Sequence, residues 1–233
     1  LGKLKIRRWY SFLAMQKRVS RRLSRVITVS ECSKKDIGRD FGIAPDRFRV
    51  VPNGINTDFF YPLPGVRRSD DQLLVTSSAD TPLKGLRYLL EAVATIRRKR
   101  PVRLTVIGAP KKDGAVERLA RELNLNGAVR FTGRIEYEEF ARYYAEAAIA
   151  VIPSLYEPFG IVALEAMAAG APVVAARTGG LAEIIDGTDA GLMFEPGNVE
   201  QLADRIADVL THPQSSAAMR EAARDLLRDR YSW

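Results

Sequence analysis

The 233-residue sequence contains one cysteine and one histidine, and each scarcity removes a class of chemistry. With Cys32 alone, no intrachain disulfide can form, which suits a reducing compartment. With His212 alone, a histidine-containing metal cluster is excluded. His212 also stands in Thr-His-Pro at an expected helix end, a poor place for a catalytic base. No apolar run approaches the ~20 residues of a membrane span. The first residues are basic, but no apolar h-region follows, so no signal peptide is evident. No Gly-x-Gly-x-x-Gly follows the first strand, which disfavours a nicotinamide dehydrogenase. No Asp-x-Asp stands at a strand end, and Asp186-Gly-Thr-Asp189 reads as a turn in a Gly-containing loop. Internal repeats and low-complexity segments are absent too.

What is present is a chain with 46% hydrophobic residues, ample for a real core, and 36 basic against 28 acidic side chains. The resulting charge of +8 favours anionic partners without choosing among nucleic acid, a phosphorylated substrate and an anionic membrane. Nucleic acid is the weakest of these, because aromatics interleaved with the basic residues, or a helix or finger motif, are missing. Residues 1 to about 25 are strongly basic, with Trp9, Tyr10, Phe12, Leu13, Met15 and Val19 compatible with one apolar helix face. The chain opens on Leu1 inside that segment, which reads as a piece of a longer protein.

From Val26 onward, short apolar runs alternate with helical patterns. Val26–Ser30 reads as a strand, followed by a helix capped by Ser30 and ending before Gly42. Phe48-Arg-Val-Val leads into a turn at Asn53-Gly54, and the proline-rich, charged stretch Pro62–Asp71 reads as a linker. Strands are then expected at Leu73–Thr76, Arg103–Ile107, Val129–Thr132, Ala148–Ile152, Pro172–Ala176 and Gly191–Phe194. Helices are expected at Lys84–Arg98, Gly114–Leu123, Glu136–Ala147 and Gly160–Ala169, then from Leu181, Val199 and Ser215. This alternation, with unalternating apolar strands, means an α/β fold: a doubly wound, Rossmann-like parallel sheet that binds ligands at the carboxyl ends of its strands.

The most informative stretch is Ser154-Leu-Tyr-Glu-Pro-Phe-Gly-Ile-Val-Ala-Leu-Glu-Ala-Met-Ala-Ala-Gly170. It joins a buried strand to an alanine-rich helix, an arrangement that points free N–H groups at an anion. Gly160 removes the side chain where a ligand approaches the backbone, and Pro158 is expected in the first helical turn. Glu157 on the loop and Glu165 in the helix are the candidate functional carboxylates. Their structural alternative is a helix-end charge for Glu157 and a paired buried carboxylate for Glu165. Lys84-Gly85, after another strand and loop, can set a cation on a diphosphate, or be an ordinary surface lysine.

Glu157 to Glu165, continued by Ala-Met-Ala-Ala-Gly-Ala-Pro-Val-Val-Ala and Gly179-Gly180, resembles the retaining GT-B glycosyltransferases of glycosyltransferase family 4. The resemblance runs from about Arg25 to the C-terminus, with Glu157 and Glu165 at the two positions of the family's Glu-x7-Glu motif. It implies that residues 1–50 are the end of an acceptor-binding domain plus hinge, and 51–233 the donor-binding C-terminal half of a GT-B architecture. It implies transfer of a hexose from a UDP- or GDP-linked sugar with retention of configuration and without a metal or other cofactor. Lys84 would hold the diphosphate and Glu157 the sugar hydroxyls, together as the catalytic pair, while Glu165 would take the ribose. The backbone of Phe159, Gly160 and Ile161 would contribute amides, and Gly133, Arg134 and Ile135 would hold the nucleobase. The family's usual arginine before Lys84 is Ala79 here, for which Arg177 is a candidate substitute and a salt bridge its alternative. This departure keeps a second reading open, a non-catalytic nucleotide- or sugar-phosphate-binding module. The acceptor, a sugar or lipid, would be bound by the missing domain in a cytoplasmic enzyme. The basic start adds a weaker reading, peripheral contact with an anionic membrane.

Overall fold

The computed structural model describes residues 13–77 and 81–232. They form two compact units, divided between Asn53 and Gly54.

In the smaller unit, residues 13–20 are helical (α1). Strand β1 (Val26–Thr28) then leads into helix α2 (Glu31–Phe41), and strand β2 (Phe48–Val50) pairs with β1 in parallel, Val26 opposite Phe48. Both ends of α2 are set by residues legible in the sequence. The Ser30 hydroxyl accepts the Ser33 N–H at 3.0 Å, and Gly42 stops the helix in the left-handed region at φ 66°. Ile27 is 73% exposed on β1, opposite the exposed Arg49 of β2.

The larger unit is an open sheet of six strands, every pair parallel. These are β3 (Gln72–Thr76), β4 (Arg103–Ile107), β5 (Val129–Phe131), β6 (Ile149–Ile152), β7 (Val173–Ala176) and β8 (Leu192–Phe194). Helices α3 (Leu86–Arg97), α4 (Ala115–Glu122), α5 (Tyr137–Glu146), α6 (Ile161–Ala168) and α7 (Gly179–Ile185) alternate with them, and α8 (Val199–Thr211) and α9 (Pro213–Arg230) follow. All four residues of β6 and of β7 are buried, as burial of both sheet faces requires. On one face, Leu89, Leu90 and Val93 of α3 pack with Leu202 and Ile206 of α8 over Leu73 and Val75, all but fully buried.

The strand order is β5-β4-β3-β6-β7-β8. The chain winds outward from β3 through β4 to β5, then returns to the other side of β3 and winds outward again from β6. Between β3 and β6 the winding reverses, and the helices that follow these two strands lie on opposite faces, α3 against α8 and α6 against α5 and α9. The crevice at this reversal is where open parallel sheets bind ligands.

Three boundary expectations are corrected. Lys84 does not begin α3: it ends a 3-10 turn, Pro82–Lys84, and Gly85 at φ 68° intervenes before Leu86. Pro158 lies outside the first turn of α6, because Gly160 at φ 102° is the cap and the helix starts at Ile161. The stretch before β3 is no free linker. Within Pro62–Asp71, Ser69 N–H donates to Glu146 O at 2.9 Å, and just before it Phe60 is 1% exposed, so this segment packs on the sheet unit. Arg68, expected to be a loop charge, donates to Ala147 O at 2.5 Å and Gly170 O at 2.7 Å, tying together the ends of α5 and α6.

Candidate functional site

Two loops at the switch point are held together by backbone. The Leu155 N–H donates to Leu83 O at 2.8 Å. Gly85 lies so close to the other loop that an added Cβ would stand 1.8 Å from Pro153 O. The turn ending in Lys84 is therefore pressed against the loop after β6, and the Lys84 ammonium meets the Glu157 carboxylate at 2.9 Å. The Glu157 side chain is 11% exposed and that of Lys84 36%, so the pair is partly shielded from water and only partly screened. Ser154 Oγ donates to the same carboxylate oxygen at 3.4 Å. The Glu157 backbone is fixed as well: its carbonyl accepts the Gly180 N–H at 2.9 Å. Gly180 has no room for a side chain, as an added Cβ would meet Phe159 O at 2.3 Å.

Beside this pair opens a cleft of about 790 Å3. That lies within the ~300–1,000 Å3 range of small-molecule sites. It is lined from the ends of β3, β4 and β5: Thr76 and Ser77, then Ile107 and Gly108, then Gly133, Arg134 and Ile135. Lys84 and Val162, in the first turn of α6, belong to its wall. The first N–H groups of that helix have no intrahelical acceptor and carry the positive end of its dipole. Ser77 Oγ is buried and lacks a hydrogen-bond partner among the described residues. A buried hydroxyl left so costs about 1–3 kcal/mol, which a ligand oxygen would recover.

Glu165 is half-buried on α6 and is not among the residues lining the cleft. The Tyr144 hydroxyl donates to it at 3.3 Å and in turn hydrogen-bonds Thr76, so a line of polar groups runs from the cleft floor to the carboxylate. Burial pushes the Glu165 carboxyl up to about 7, opposed by the Tyr144 hydrogen bond. The same burial, with the Glu165 charge nearby, pushes the Tyr144 phenol well above its ordinary range.

This raised carboxyl has a stability consequence. Between its ordinary value of 4.5 and about 7, the folded chain keeps a proton that the unfolded chain has lost. Stability therefore falls as pH rises through that window. Glu165→Gln removes the effect. Relative to the parent, the variant is expected to gain of order 3 kcal/mol between pH 4 and pH 8, since each pH unit of the window contributes about 1.36 kcal/mol. Urea denaturation of both proteins at the two pH values measures this, and a constant difference would refute it.

The structure thus brings Lys84, Gly133, Arg134 and Ile135 to one cleft, sets Glu157 on Lys84, and sets Glu165 against Tyr144 outside the cleft lining. Gly160 and Ile161 form the start of α6, but the Phe159 side chain is buried elsewhere, its ring edge-on to Tyr231 at 6.3 Å. Arg177 pairs with Asp186 and lies 3.5 Å from Glu195. Asp186 ends α7 and Gly187 turns at φ 75°, in keeping with a turn. Ala79 lies outside the described residues, as does the start of the basic segment. His212 sits between α8 and α9, 2.9 Å from Asp208. Sequence reasoning missed Ser77, Tyr144 and Ser154. Ser77 directly follows β3 and Ser154 comes two residues after the end of β6, a signal that was available, whereas nothing local marks Tyr144. Among the described residues, no group of three or more metal-ligating side chains occurs and no helix is long and apolar enough to cross a membrane.

A doubly wound parallel sheet with a cation, a buried carboxylate and helix-start amides at its switch point defines an open α/β class whose site chemistry suits an anion. Comparison with known proteins narrows the class. The profile described as "Glycosyl transferases group 1" matches residues 64–226, and that described as "Glycosyltransferase Family 4" matches residues 2–59. The chain belongs to the group 1 glycosyl transferase family. An MMP alpha-(1->4)-mannosyltransferase of Mycolicibacterium hassiacum is 39% identical over 230 residues, 98% of this chain and 55% of that protein. A D-inositol 3-phosphate glycosyltransferase of Saccharomonospora viridis is 32% identical over 228 residues, 90% of this chain and 52% of that protein. Among solved structures, the sucrose-phosphate synthase of Thermosynechococcus elongatus superimposes with a TM-score of 0.84 at 29% identity, over 96% of this chain and 58% of that one. Anabaena HepE, solved with UDP and glucose, shares the fold at a TM-score of 0.82 and 24% identity, over 94% of this chain and 62% of its own. These neighbours are GT-B glycosyltransferases. The chain spans about half the length of the curated relatives it matches.

Proposed function

We propose that this chain is the donor-binding part of a retaining glycosyltransferase that moves a hexose from a nucleoside-diphosphate sugar to an acceptor. The observation that carries this reading is the meeting of Lys84 and Glu157 at the switch point, beside the free amides of α6. As the bond between sugar and diphosphate breaks, negative charge gathers on the leaving phosphate. The α6 amides are held in place by the helix, and Lys84 reaches the phosphate once its pair with Glu157 opens, so both stabilise that charge. A diphosphate competes with Glu157 for the Lys84 ammonium, which turns the Glu157 carboxylate toward the sugar hydroxyls. Glu165 accepts from the ribose, and the backbone at Gly133–Ile135 borders the nucleobase. Donor complexes of the HepE kind, with UDP and glucose, support a uridine or similar nucleotide. The chemistry needs no metal in this scheme, since Lys84 and backbone amides carry the charge. The acceptor half, a cytoplasmic location and any peripheral membrane contact belong to the same proposal.

Calorimetric titration with UDP, GDP, ADP and their hexose conjugates tests it. One nucleotide is expected to bind selectively, and Glu165→Ala to weaken it about tenfold or more, the loss of a charge-assisted hydrogen bond. Absence of binding by every nucleotide overturns the donor-site reading. The non-catalytic alternative is separated by assaying transfer in a protein that carries this chain with its acceptor-binding half. Glu157→Ala abolishes transfer if the site is catalytic.

A further inference from the structure

A second cavity, of about 310 Å3, shares no lining residue with the donor cleft. It lies at the far end of α6, between Gly170, the segment around Phe60–Pro62 and one face of α9. Four arginines line it and no acidic residue does. Arg220, Arg224 and Arg228 recur every four residues on α9, which stacks them along one face. Arg68 reaches in from the loop before β3.

The charges are unevenly compensated. Arg228 is paired with Asp225 at 2.8 Å and Asp229 at 3.0 Å. Arg68 is satisfied by carbonyl oxygens alone, and Arg220 Nε donates to Ser216 O at 3.3 Å. No ion pair joins Arg68, Arg220 or Arg224 to a carboxylate among the described residues. Arg68 is so enclosed that burial, aided by the Arg220 charge, brings its guanidinium down to about 10. Carbonyl dipoles hold the donors of Arg68 but do not neutralise it, and a second guanidinium faces it. Gathered like charges with low-dielectric walls from Phe60, Met167 and Leu227 focus the field inside the cavity and draw in a counter-anion.

We infer that this arginine-lined cavity is a binding site for a phosphomonoester, with Arg220 and Arg224 as its principal ligands and Arg68 as a fixed charge at its base. Guanidinium forks match the oxygens of a phosphate in pairs, and the volume suits a group of glycerol-phosphate size. Free small metabolites and phospholipid headgroups both present that chemistry.

Two probes distinguish the sources: glycerol 3-phosphate in calorimetric titration, and phosphatidic acid in phosphatidylcholine vesicles in co-sedimentation. Both use the 233-residue chain, the Arg220→Gln/Arg224→Gln variant and Lys84→Ala. Arg68 is left intact because its bonds hold α5 and α6. Saturable binding of glycerol 3-phosphate, about tenfold or more weaker in the double arginine variant and unchanged in Lys84→Ala, supports the site with a soluble ligand. Sedimentation with phosphatidic acid vesicles alone, lost in the same variant, supports it with a lipid headgroup. Binding that survives the arginine changes, that disappears in Lys84→Ala, or that is absent with both probes overturns the proposal. Nucleotide binding in the arginine variant serves as the folding control.

Discussion

Gly85→Ala is expected to destabilise the chain by about 3 kcal/mol or more and to remove nucleotide binding with it. Gly85 sits at φ 68°, where an alanine costs about 1–2 kcal/mol by itself. Its new Cβ would also stand 1.8 Å from Pro153 O and 2.7 Å from Pro153 C, and both are backbone atoms that no rotamer change can move. Relief requires the Pro82–Lys84 turn to part from the loop after β6. That breaks the Leu155–Leu83 hydrogen bond and draws Lys84 away from Glu157, adding overpacking and hydrogen-bond losses of roughly 1–3 kcal/mol. Gly65 supplies the control. It has a similar φ of 76° but nothing within 4 Å of an added Cβ, so Gly65→Ala is expected to cost only about 1 kcal/mol. Urea denaturation and nucleotide titration of the two variants distinguish them. Equal losses would mean that the close approach of the two loops does not hold the site.

Lys84→Ala is expected to weaken binding of the preferred nucleoside diphosphate about a hundredfold while leaving the parent nucleoside within about twofold. A charge-assisted hydrogen bond accounts for roughly 1.5–3 kcal/mol, and the variant also leaves the Glu157 carboxylate facing the phosphates without its cation. The second effect is separable. In Lys84→Ala/Glu157→Gln the repulsion is gone, so the deficit should shrink to about tenfold, a coupling that a double-mutant cycle reads directly. If Lys84→Ala binds the diphosphate as the parent does, Lys84 is a structural partner of Glu157 and the diphosphate lies elsewhere.

Much of the fold was readable because its signals are local. Ser30 and Gly42 bracket α2 through a side-chain cap and a left-handed glycine, both decided within a few residues. The buried strands β6 and β7 are continuous apolar runs, and the periodic leucines of α3 mark its buried face. Errors came where a backbone conformation, invisible to hydrophobic pattern, intervened. The left-handed Gly85 moved the start of α3 past Lys84, the residue expected to open it, and the left-handed Gly160 caps α6 and leaves Pro158 outside its first turn. Arg68 was misjudged as linker because its partners, Ala147 O and Gly170 O, come from distant segments.

The sequence by itself determined the alternating α/β class, the strand–loop–helix around Glu157 and the residue types able to meet a diphosphate. Only the tertiary structure decided that β3 and β6 are neighbours, and therefore that Lys84 and Glu157, 73 positions apart, lie within 2.9 Å of each other. It alone set Tyr144 against Glu165, raising that carboxyl's environment from ordinary to buried, and gathered Arg68 with three arginines of α9. The physical reason is the range of the forces. Periodicity and capping act over one or two turns of chain. Strand order follows instead from how crossovers of fixed hand pack their helices on both faces of one sheet, and no single segment records that outcome.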